Sequence, residues 1–123
     1  MITPGPKRVL IADDDLETRT MLGLMLAGEG YEVSHAASGR EAIALHDRKP
    51  HDLIITELGV DGFRVLAELR RHPSPVKFIA TFKTSRFPAK ICRRMGEQLG
   101  AHCVLAKPIP PEQLLTAVRS ALD

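Results

Sequence analysis

Val9-Leu10-Ile11-Ala12-Asp13-Asp14-Asp15 is the stretch that decides how this chain folds. Four apolar residues run without a polar interruption and give way at once to three acids. A strand covered on both faces has no wet side to show, so it reads as a continuous apolar run rather than as an alternation. The switch to carboxylates marks where that strand leaves the core. Similar short runs recur at Tyr31-Glu32-Val33, Leu53-Ile54-Ile55, Val76-Lys77-Phe78-Ile79-Ala80 and Cys103-Val104-Leu105-Ala106.

Helical patterns lie between these runs. Leu22, Met25 and Leu26 stand at i, i+3, i+4, and Gly30 is a stop after them. Ser38-Gly39-Arg40-Glu41 has the spacing of a capping box and opens a helix carrying Ala42, Leu45 and His46. Asp61-Gly62 precedes a third helix with Val65, Leu66 and Leu69, ended by Pro73. Pro88 suits the first turn of a fourth, whose apolar stripe is Ile91, Met95 and Leu99, with Gly100 as its stop. Pro110-Pro111 opens a fifth with Leu114, Leu115, Val118 and Leu122. The order is βαβαβαβαβα. Right-handed helical crossovers then give an α/β three-layer sandwich, a five-stranded parallel sheet between two helix layers. We expect one domain over residues 1–123, with 1–6 as an N-terminal tail.

Composition narrows the function. A chain of 123 residues has room for one ordinary core. A net charge of +2 is too slight to point to nucleic acid or an anionic membrane. No apolar run is long enough to cross a bilayer, and the N-terminus has no secretory h-region, so a cytoplasmic chain is expected. Cys92 and Cys103 match no metal spacing; Cys103 reads as a buried strand residue and Cys92 as a core-facing or half-buried helix residue. His35, His46, His51, His72 and His102 are scattered over separate elements, so no histidine metal cluster is expected.

In a sheet of this kind a ligand site forms beyond the carboxyl ends of the strands. Strand one ends in Asp13-Asp14-Asp15, strand three in Thr56-Glu57, strand four in Thr81-Phe82-Lys83 and strand five in Lys107-Pro108. Acids, a hydroxyl and an ammonium therefore converge at one edge. Crowded carboxylates raise one another's pKa unless a cation sits among them. Mg²⁺ suits oxygen donors of this type, and lysine suits a phosphoryl oxygen or a carboxylate. Asp15 alone has a plainer reading as the N-cap of the first helix.

The chain resembles the receiver domains of two-component response regulators over essentially its whole length. The resemblance rests on Val9–Asp15 with Arg19, Gly30-Tyr31-Glu32-Val33, Ala37-Ser38-Gly39-Arg40-Glu41-Ala42, Asp52–Ile55, Asp61-Gly62, Gly100-Ala101 and Leu105-Ala106-Lys107-Pro108. It implies a flavodoxin-like (βα)₅ fold with strand order 2-1-3-4-5. It also implies an acid at position 57 that takes a phosphoryl group from a kinase phosphohistidine. Asp13 and Asp14 would help to hold Mg²⁺, with the Gly59 backbone carbonyl as a third contact. Thr81 and Lys107 would touch the phosphoryl group.

The chain departs from that pattern where it matters most. Glu57 stands where the family has Asp. One extra methylene moves a carboxylate by roughly 1 Å, enough to cost on the order of 10²-fold in a reaction that needs aligned attack. The longer arm reaches toward Lys107 and stands in for the charge of a phospho-acid. The loop Glu57–Gly62 is about three residues shorter than usual. Phe82 replaces a small residue and is expected to cover the site. Val104 replaces an aromatic that would swing between two packings. We therefore expect an atypical receiver, a pseudo-receiver variant with impaired or absent phosphorylation, with Mg²⁺ bound weakly or not at all. The alternatives are a working Mg²⁺-dependent phosphoacceptor using Glu57, and a small Mg²⁺-dependent phosphatase-like enzyme. The expected role is signalling through a protein partner and not enzymatic. The partner would be a sensor kinase, a phosphotransfer protein or an output domain. The basic face of helix four, Lys90, Arg93 and Arg94, is its expected docking surface, opposite the apolar stripe.

Overall fold

The computed structural model describes residues 5–58, 62–73, 76–85 and 88–123. In chain order the elements are β1 (Arg8–Ala12), α1 (Leu16–Gly28), β2 (Glu32–Ala36), α2 (Gly39–Arg48), β3 (Leu53–Glu57), α3 (Gly62–Arg70), β4 (Lys77–Lys83), α4 (Ala89–Gln98), β5 (Cys103–Lys107) and α5 (Pro111–Leu122). All strand pairs are parallel, in the order β2-β1-β3-β4-β5. This is the flavodoxin-like arrangement.

Residue parity divides the core in two. Leu10, Ile54, Phe78, Ala80 and Phe82 face one way and pack on Ala42, Val65, Leu66, Leu69 and Cys92 of α2, α3 and α4. Val9, Ile11, Leu53, Ile55, Ile79 and Leu105 face the other way, onto Leu22 and Leu26 of α1 and Leu114 and Val118 of α5. Each large side chain taken fully out of water contributes about 2 kcal/mol, and the twelve largest are nearly all strand or inner-helix residues. The punctuation acts as the sequence suggests. Gly30 and Gly100 adopt positive φ (92° and 89°) after α1 and α4. The Ser38 hydroxyl accepts the Glu41 backbone N–H at 3.2 Å, and the Glu41 carboxylate accepts from Ala37 N–H at 3.3 Å.

Three expectations are corrected. Helix α4 does not pack through Ile91 and Met95, which are 50% and 36% exposed; Cys92 and Gly96 face inward instead. The reason is steric. Gly96 lies so close to β5 that a Cβ there would meet Val104 Cγ2 at 2.4 Å, so the contact face is made of small residues. Ile91 and Met95 thus share the outward side with Lys90 and Arg94 instead of opposing them. Phe82 does not cover the strand-end site. It is fully buried with Phe78 and Ala80, because strand parity sends it to the face opposite Thr81. Arg93 lies 5.9 Å above its ring. Finally, the histidines are not all scattered. His46 and His51 have ring centroids 5.8 Å apart, and His46 and His72 4.9 Å, at the amino ends of the strands.

Candidate functional site at the carboxyl edge of the sheet

The site residues continue one of the two parity rows. Asp13 follows Ile11, Glu57 follows Ile55, Thr81 follows Ile79 and Lys107 follows Leu105, all on the α1/α5 side. Rigid buried strands therefore aim these four positions at a common cup.

Asp13 is 3% exposed although it lies just past β1. Its backbone N–H donates to Ala36 O at 3.1 Å, which ties it to β2. Its Oδ1 accepts from Asp15 N–H at 2.9 Å, and its Oδ2 accepts a close hydrogen bond from Lys107 Nζ. Arg19 donates to the Asp13 carbonyl oxygen from within α1. Asp15 caps α1, its carboxylate accepting from the Thr18 N–H at 3.2 Å and from the Thr18 hydroxyl. Those bonds to the ionised form lower its pKa.

Glu57 closes β3 and stands in register with Thr81 on β4. The Leu58 N–H donates to Thr81 O at 2.7 Å, which locks the two strand ends together. Lys107 Nζ lies 3.2 Å from Glu57 Oε1 while holding Asp13. The lysine side chain is 9% exposed, so this three-point ion network is largely withdrawn from water. Burial raises the Glu57 pKa above the usual carboxylate value, and the Asp13 charge adds to this; Lys107 pulls the other way. Lys107 itself stands beside Lys83 in the β4–β5 register, and the Lys107–Pro108 peptide is cis.

Carboxylate oxygens of Asp13, Asp14 and Glu57 lie within 4.8 Å of one another. Hard anionic oxygens this close fit Mg²⁺ in donor chemistry. Two of the three are already engaged by the Lys107 ammonium. Gly59, expected to supply a carbonyl, lies outside the described residues, as does Asp61. The structure brings together Asp13, Asp14, Glu57 and Lys107, with Thr81 buried at the adjoining register position. Sequence reasoning paired Lys107 with Glu57 and missed its second partner, Asp13. The shared strand parity of positions 13, 57 and 107 was the available signal.

The same fold recurs in known proteins. The response regulator receiver domain matches residues 9–119. The protein ycf27 of Porphyridium aerugineum is 33% identical over 119 residues, which are 94% of this chain and 48% of that protein. The transcriptional regulatory protein GlrR of Escherichia coli K12 is 31% identical over 121 residues, 96% of this chain and 27% of that one. The chain thus spans half or less of these relatives. The chemotaxis response regulator CheY4 of Vibrio cholerae superposes with a TM-score of 0.82 at 32% identity, covering 95% of this chain and 99% of that one. The chain belongs to the receiver domains of response regulators, the signalling modules of two-component systems. Receiver domains work with sensor kinases and output domains, and typically bind Mg²⁺ through acidic residues such as those clustered here. Among the described residues, no helix is long and apolar enough to cross a membrane.

Proposed function

We propose that this receiver signals through protein contacts from a fixed state, with phosphorylation impaired because Glu57 occupies the phosphoacceptor position. The observation that carries the reading is the double engagement of Lys107 by Asp13 and Glu57. An incoming phosphoryl oxygen would need that same ammonium as its counter-charge. Here a carboxylate one methylene too long already meets it. Attack from Glu57 would have to break that ion pair and realign a carboxylate displaced by roughly 1 Å, which costs on the order of 10²-fold. Asp13, Asp14 and Glu57 would hold Mg²⁺, with Gly59 as a further carbonyl donor. The ion would neutralise charge at the acidic cup. Its binding is weak because it must displace the Lys107 ammonium from two of the three donors. Thr81 would bind a phosphoryl oxygen.

The reading is of a signalling module and not of an enzyme. Its partner is a sensor kinase, a phosphotransfer protein or an output domain. The docking face we favour is the outer side of α4, where Lys90 and Arg94 are exposed beside Ile91 and Met95, with the exposed Arg93 at its flank over Phe82. Mixed basic and apolar side chains of this kind fit an acidic amphipathic segment.

The second reading, phosphoryl acceptance by Glu57, draws on the three-carboxylate cluster itself. Incubation with acetyl phosphate and Mg²⁺, followed by intact mass, separates the two. We expect no stable gain of about 80 Da, the mass of one phosphoryl group, in the wild type and a clear gain in Glu57→Asp. A stoichiometric adduct on wild-type Glu57 would overturn the locked reading.

A further inference from the structure

The amino ends of the strands hold a second polar cluster, remote from the acidic cup. His46, on the last turn of α2, is 1% exposed, and His51, in the turn before β3, is 6% exposed. His46 Nδ1 accepts the His51 backbone N–H at 3.0 Å. A ring nitrogen that accepts an amide N–H carries a lone pair and not a proton. Protonation there would set two donors face to face in a buried place, so the bond and the positive charge exclude each other.

The surroundings reinforce this exclusion. Arg8, at the start of β1, donates to Lys49 O at 3.1 Å and to Pro50 O, and its guanidinium nitrogen lies 3.5 Å from His51 Nε2. From β2, the Ser34 hydroxyl lies 3.2 Å from the same Nε2, and Glu32 pairs with Arg8 at 3.4 Å. Asp52 is occupied by the Arg8 N–H at 2.7 Å. His72, following α3, packs edge-on against His46 and binds Asp47. Among the groups facing this pair are Arg8, Ser34, Glu32, Asp47, Asp52 and His72. Two of them are acids already committed to Arg8, and a third is committed to His72. His51 Nδ1 is buried with no hydrogen-bond partner among the described residues.

We propose that the His46–His51 pair is a proton-sensitive latch: acidification breaks the imidazole–amide bond and opens the turn 49–52 at the amino end of β3, while the rest of the sheet stays folded. The depressed pKa of His51, about 4 through burial and the Arg8 charge, agrees with a place that resists a further cation. The latch grips the strand that ends in Glu57, so its opening frees the amino end of the element that carries the candidate site.

The test is amide hydrogen exchange by NMR on the full chain, wild type and His46→Asn. Asn offers Oδ1 in place of Nδ1 and does not titrate. Between about pH 7 and about pH 5, corrected protection of the wild-type His51 amide should fall by roughly tenfold or more, and that of the variant several-fold less, its remaining fall coming from proton uptake by His51 itself on opening. Amides of Phe78 to Ala80 should keep their protection in both. Unchanged wild-type protection, an equal fall in the variant, or simultaneous loss in β4 would overturn the latch. If the variant does not fold, the wild-type His46 ring signals decide. They should titrate together with the loss of His51 protection, and a ring that titrates while that amide stays protected refutes the proposal.

Discussion

Replacing Lys107 with Met probes the acidic cup directly. Met keeps the length of the side chain and deletes its charge. In the native protein Lys107 donates to Asp13 Oδ2 and lies 3.2 Å from Glu57 Oε1, with the three side chains 9%, 2% and 11% exposed. Without the ammonium, Asp13, Asp14 and Glu57 face one another with carboxylate oxygens within 4.8 Å. Removing one partner of a buried pair costs about 3–5 kcal/mol because the other charge is stranded. Glu57, whose pKa is already raised by burial, relieves part of that by taking up a proton. The lower end is therefore expected, about 3 kcal/mol, or on the order of 10 °C in Tm for a domain of this size. The assay is urea and thermal unfolding at neutral pH, with and without Mg²⁺. In Lys107→Met the carboxylates need a new counter-ion, so Mg²⁺ should restore stability, by about 2.7 kcal/mol at a hundredfold excess over Kd. The wild type should gain much less, since its ammonium competes. A variant as stable as the wild type, with the same response to Mg²⁺, would show that the Lys107 ammonium does not neutralise the acidic cup.

Other consequences follow from the packing and the buried histidine. Gly96→Ala forces a Cβ to within 2.4 Å of Val104 Cγ2 and should cost about 1–3 kcal/mol by chemical denaturation; adding Val104→Ala should recover much of the loss. His51 titrates at about 4 in the folded chain against an ordinary 6.5, so the unfolded chain binds more protons between those values. Its contribution to stability is complete above about pH 6.5 and declines by about 1–2 kcal/mol, allowing for solvent screening, as the pH falls to about 4. Glu57 acts with the opposite sign, because its raised pKa lets the folded chain bind a proton more readily. Urea unfolding of the wild type against His51→Gln across this range isolates the histidine, and parallel curves would contradict its assignment.

Most of the fold was legible because its signals are local. The apolar runs placed all five strands, and Ser38, Gly30, Gly100 and Pro111 marked helix ends through chemistry that needs only near neighbours. The four strand-end positions followed from the same runs. The exceptions arise where small residues or distant contacts decide. Ile91 and Met95 look like a buried stripe, but α4 packs through Cys92, which the sequence already suggested as core-facing, and through Gly96 against β5, and a residue with no side chain does not stand out in a hydrophobicity pattern. Phe82 was misplaced although alternation from Phe78 and Ala80 puts it in the core. His46, His51 and His72 meet only because α2, the turn before β3 and the end of α3 are brought to one edge of the sheet, which no spacing in the chain reveals. The Lys107–Asp13 contact spans 94 positions and depends on the sheet order.

The most direct measurement of the central claim is a high-resolution crystal structure grown in millimolar Mg²⁺. Lys107 Nζ is expected within ion-pair distance of both Asp13 and Glu57, with no cation displacing it. A Mg²⁺ ion coordinated by Asp14 and Glu57, with Lys107 turned away from the glutamate, would contradict it.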